Sequence, residues 1–64
     1  MPTIIVYLRE GRTEDQKREF VRSVTEACRQ IFGSPPDSVN IVIQDVPATN
    51  LGKAGRLRSE GSAS

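Results

Sequence analysis

The apolar pattern of the chain changes period twice. Residues 3–8 read TIIVYL, uncharged and rich in β-branched and aromatic side chains, and predict a strand over Thr3–Leu8. Its alternation is incomplete, with Ile4, Val6 and Leu8 on one face and Ile5 and Tyr7 on the other. Both faces therefore require cover, as in a parallel sheet or a sheet closed by a second subunit. Further on, Phe20, Val21, Val24, Ala27, Cys28, Ile31 and Phe32 follow at intervals of 1, 3, 3, 1, 3 and 1, which trace one helical stripe. Lys17, Arg18, Arg22, Glu26 and Arg29 fall largely on the opposite side. Alternation returns at VNIVIQD, residues 39–45, where Val39, Ile41 and Ile43 share one face and Asn40, Val42 and Gln44 the other.

Local signals bound these elements. Glu10 and Gly11 form a turn, and the stretch TEDQ (Thr13–Gln16) fits a capping box. Glu14 and Asp15 in the first turn suit the positive end of the helix dipole. The helix is expected over Glu14–Phe32, stopped by Gly33 with Pro35 and Pro36 beyond it. Pro47 ends the second strand, Val39–Asp45. A strand, one helix and a strand make a β-α-β unit with parallel strands and a right-handed crossover. Gly52 and Gly55 predict a turn or short hairpin around Leu51–Leu57. From Arg58 onward the composition is Ser, Gly, Glu and Ala, so residues 1–57 are expected to form the domain and 58–64 a flexible tail. There is no internal repeat. The fold class expected is α/β (α+β): one β-α-β unit with a C-terminal hairpin, pairing with a second copy into a four-stranded sheet. The helices would lie on one face, and the other apolar face would pack on further copies.

Composition sharpens the need for partners. With 64 residues the chain holds one domain. Such a chain buries about 60% of its unfolded surface, and its core rarely supplies more than roughly 3–5 kcal/mol. Cys28 is the single cysteine and histidine is absent, so neither an intrachain disulfide nor a structural metal site is expected. Association with other chains is left as the stabilising device. A net charge of +1 argues against nucleic acid as the main partner. The longest apolar run, IIVYL, is far too short to span a bilayer, and no signal peptide is evident. The expected location is cytoplasmic, with a reduced, buried thiol.

The candidate chemistry lies at the two ends of the first strand. Methionine aminopeptidases remove Met before small residues, and proline qualifies; if Met1 goes, Pro2 carries a free secondary amine. Its ring fixes φ, and nearby cations and burial lower its pKa by disfavouring the charged form. Such a group serves as a general base or acid. Arg9 and Arg12 lie at the far end of the strand, where either can clamp a carboxylate in bidentate fashion. Six strand residues put Pro2 and Leu8 about 20 Å apart, so a site combining Pro2 with the arginines needs two subunits.

The chain resembles the 4-oxalocrotonate tautomerase family. The resemblance rests on Pro2, the strand, EGRTEDQK (Glu10–Lys17), the amphipathic helix, DSVNIVIQDV (Asp37–Val46) and NLGKAG (Asn50–Gly55), and covers roughly residues 2–57. It implies a tautomerase (MIF-like) fold, usually a hexamer built as a trimer of β-α-β dimers. It also implies a cofactor-free keto–enol tautomerisation of a small 2-oxo or 2-hydroxydienoate acid, in which the amino-terminal proline shuttles the proton. On this resemblance Pro2 is the catalytic residue, and Arg12 binds the substrate carboxylate from a neighbouring subunit. Two positions depart from the pattern. Asn40 stands where the family has a second arginine, and Leu51 where it has a site-wall phenylalanine. Asn40 can donate a hydrogen bond but supplies no charge; Leu51 keeps the wall apolar. The Arg9–Arg12 pair also resembles that of 3-haloacrylate dehalogenases, which makes a hydratase or dehalogenase the alternative reading. NLGKA (Asn50–Ala54) carries no glutamate at the place those enzymes use one. The third reading is one subunit type of a hetero-oligomer, with the missing cation supplied by a partner.

Overall fold

The structure, a computed structural model, describes residues 2–60. Strand β1 (Thr3–Arg9) leads through a loop to helix α1 (Glu14–Phe32), which crosses back to strand β2 (Asn40–Val46). A short hairpin, β3 (Gly52–Lys53) and β4 (Arg56–Leu57), follows. Single 3-10 turns occupy Pro36–Ser38, Ala48–Asn50 and Arg58–Glu60. β1 and β2 pair in parallel from Thr3↔Asn40 to Arg9↔Val46. The ladder runs one bond past each end: Asn40 N–H donates to Pro2 C=O and Glu10 N–H to Val46 C=O, both at 2.9 Å.

The helix occupies the expected residues because its ends are set locally. The Thr13 hydroxyl accepts from Gln16 N–H at 3.1 Å, and Gln16 Oε1 accepts from Thr13 N–H at 2.9 Å. At the other end Gly33 takes φ +72°, and its N–H donates to Arg29 C=O at 3.0 Å. Replacing Thr13 with alanine is expected to cost about 1 kcal/mol, seen as a lower urea midpoint at fixed protein concentration. The strands differ by one residue from expectation. β2 begins at Asn40 because Val39 N–H is already committed to Pro36 C=O at 3.2 Å.

Packing is one-sided. Ile4, Val6 and Leu8 of β1 and Ile41 and Ile43 of β2 are half-buried, while Ile5, Tyr7 and Val42 are exposed on the other face. Cys28 is the one core residue, at 6% exposure among the described residues. The helical stripe is covered at Phe20, Val21, Val24 and Cys28 but not at its end, where Ile31 and Phe32 are 71% and 73% exposed. The cause is length: nineteen helical residues run about 28 Å against about 23 Å for a seven-residue strand, so the last turn overhangs the sheet. The radius of gyration is 15.1 Å. A compact chain of this length has about 11 Å.

Charges on the helix are locally satisfied. Arg18 pairs with Glu14 and Asp15, Arg22 with Glu19, and Arg29 with Glu26. The Arg29 guanidinium holds the Glu26 carboxyl below its usual range, and Glu26 in turn raises Arg29. Lys17 reaches further and meets Asp45 at 2.6 Å, tying the first helical turn to the end of β2. No helix of the described residues is long and apolar enough to cross a membrane.

Candidate active site

The candidate site residues fall into two groups, one at each end of β1. At its start, Pro2 is half-buried, and its carbonyl oxygen accepts from Asn40 N–H. Asn40 opens β2 opposite Thr3, with its side chain on the exposed face of the sheet. Pro2 and Asn40 are thus neighbours through parallel pairing.

At the other end of β1 the chain turns at Gly11, whose φ of +115° suits a residue without a Cβ. This turn sets Arg9 and Arg12 at one mouth. The 3-10 turn Ala48–Asn50 then delivers Leu51, whose N–H donates to Ala48 C=O at 3.3 Å. The hairpin that follows is a two-residue one. Its central residues Ala54 and Gly55 both have positive φ, +54° and +79°, as the right-handed twist of paired strands requires. It folds back so that Arg58 N–H donates to Leu51 C=O at 2.8 Å. Arg9, Arg12, Leu51, Gly52, Lys53 and Arg58 together line an open cleft of about 430 Å³. A volume of this order suits a small ligand. Among the described residues, no carboxylate lines it.

Of the residues singled out in the sequence, the structure therefore joins Arg9, Arg12 and Leu51 in one cleft and sets Pro2 beside Asn40. It does not join the two groups: seven residue steps along β1 separate Pro2 from Arg9 by about 23 Å. Lys53 and Arg58 were not among the expected site residues. Arg58 was assigned to a tail over residues 58–64, yet Arg58–Glu60 form a 3-10 turn; residues 61–64 lie outside the described residues. The signal for Arg58 was present in the hairpin register. With Lys53 opposite Arg56 and Gly52 opposite Leu57, the next residue on each side is Leu51 and Arg58.

Known proteins are similar to this chain in sequence and fold. The family model described as tautomerase enzyme matches residues 2–60. A protein of Ralstonia nicotianae named a probable tautomerase is 46% identical over 59 residues, covering 92% of this chain and 84% of its own. The 2-hydroxymuconate tautomerase of Comamonas testosteroni is 42% identical over 55 residues, covering 86% and 87%. Among solved structures, a heterohexamer 4-oxalocrotonate tautomerase from Chloroflexus aurantiacus superposes with a TM-score of 0.85 at 32% identity, over 94% of this chain and 97% of that one. With the parallel β-α-β unit and its hairpin matched end to end, the chain belongs to the tautomerase family of isomerases.

Proposed function

We propose that the chain is a 4-oxalocrotonate tautomerase-like isomerase of a small 2-oxo or 2-hydroxydienoate acid, with Pro2 as general base and acid. Arg12, with Arg9, would hold the substrate carboxylate; Leu51 would keep the site wall apolar, and Asn40 would donate to a substrate oxygen. In this reading Met1 is removed and the neutral Pro2 nitrogen takes the proton of the enol hydroxyl. The π electrons shift along the conjugated chain, and the prolinium returns the proton to a carbon of that chain. No electrons are gained or lost, and no metal or cofactor takes part.

The observation that carries the proposal is the placement of the two half-sites at opposite ends of β1. The outer edge of β1 carries no partner strand among the described residues. A second copy added there about a twofold axis runs antiparallel, which sets Pro2 of one chain beside Arg9 and Arg12 of the other. The resulting four-stranded sheet leaves Ile5, Tyr7 and Val42 to be covered by further copies, as a hexamer would do. Intact mass should show loss of Met1, and the trimmed protein should isomerise 2-hydroxymuconate. A trimmed, assembled protein without that activity would overturn the proposal.

Two other readings have some support. Arg9 and Arg12 in one cleft suit hydration of a 3-haloacrylate, but activating water needs a base, and among the described residues the cleft lining contains no carboxylate. Asn40 brings no charge, which favours a mixed assembly in which another chain supplies a cation. A homogeneous, active oligomer made from this chain alone would remove that reading.

A further inference from the structure

The nine lysines and arginines are sorted by place. All four on the helix, Lys17, Arg18, Arg22 and Arg29, have a carboxylate partner. The four that line the cleft, Arg9, Arg12, Lys53 and Arg58, have none among the described residues. The acids nearest in sequence do not serve them. Glu10 is outside the lining, and the Glu60 carboxylate accepts from Leu57 N–H at 3.3 Å. Four like charges converging on one small cleft repel each other, and an anion relieves that repulsion. One carboxylate neutralises one of them.

Resting on the tautomerase reading above, we propose that Lys53 and Arg58 form a second anion-binding arm in the cleft, which makes a dianionic acid the preferred ligand. Arg9 and Arg12, from the end of β1 and its loop, hold one carboxylate. The hairpin wall holds the other, and so provides the positive charge that Asn40 does not. The Arg58 backbone is anchored beside the cleft by its N–H bond to the C=O of Leu51, the same residue that forms the apolar wall. Lys53 is fixed by its pairing with Arg56 across the two-residue turn.

The test compares adipate and hexanoate, six-carbon acids that differ by one carboxylate, by titration calorimetry on the assembled protein. The parent is expected to bind adipate about tenfold more tightly, and the K53Q/R58Q double variant to lose most of that preference. In turnover, R58Q should lower kcat/KM for dianionic 2-hydroxymuconate about tenfold more than for monoanionic phenylenolpyruvate, with the change chiefly in KM and with R58K recovering part of it. Circular dichroism and native mass confirm that each variant folds and assembles. A parent without preference for adipate, or a double variant that keeps it, overturns the proposal. Equal loss on both substrates does the same. Calorimetry separates this result from the fate of the proline mechanism: P2A should keep the adipate preference whether or not it turns over.

Discussion

Replacing Pro2 with alanine is expected to reduce kcat/KM on 2-hydroxymuconate by about 10²–10⁴-fold, the range that general acid–base catalysis supplies. Alanine at position 2 also permits removal of Met1, so the variant still ends in an amine. What it loses is the ring. A primary amine on a freely rotating bond samples many orientations, whereas the pyrrolidine fixes φ and holds the nitrogen lone pair in one direction. Orientation alone accounts for much of such a loss. Binding of an unreactive dicarboxylate should change little, because the substitution leaves the cationic side chains of the cleft, Arg9, Arg12, Lys53 and Arg58, in place. Parallel assays of turnover and binding check both halves, and turnover equal to the parent would exclude Pro2 as the proton carrier. A form that keeps Met1 should be inactive as well, since its Pro2 nitrogen is an amide.

Arg12→Gln should raise KM by about ten- to a hundredfold, the worth of a charge-assisted hydrogen bond to a carboxylate. Mixing it with Pro2→Ala is more informative. Neither variant alone forms an intact site. On the proposed two-chain site, a randomly mixed assembly takes each site's proline from one chain and its arginine from another, so about one site in four receives both native residues. Co-refolding the two variants should therefore give roughly a quarter of the parental kcat/KM, above the mean of the two homogeneous assemblies. If both residues served one site within one chain, every site would remain defective and mixing would restore nothing.

The elements set by local chemistry were legible in the sequence. The helix limits follow from the Thr13–Gln16 reciprocal bonds and the left-handed Gly33, which involve only near neighbours. Strand ends were less legible because a partner sets them: Val39 looks like strand but has spent its N–H on Pro36. The separation of Pro2 from Arg9 was legible because a strand is a ruler. Lys53 and Arg58 were missed for a different reason. A Ser- and Gly-containing end reads as a tail by composition, which hid that Arg58 extends the hairpin ladder through its bond to Leu51 and so becomes a wall of the cleft. Exposure of Ile31 and Phe32 was likewise hidden, since the helical period says which face is apolar but not where the sheet beneath it stops.

The bare face of the sheet has a consequence for handling the protein. A chain released by dilution would present Ile5, Tyr7 and Val42 in adjoining rows, between two strand edges with unspent hydrogen bonds. That is the surface on which cross-β fibrils grow. In the oligomer proposed above, subunit contact would double as protection from insoluble polymer. Mutations that loosen subunit contacts should surface first as turbidity in dilute stocks, ahead of any fall in measured rate.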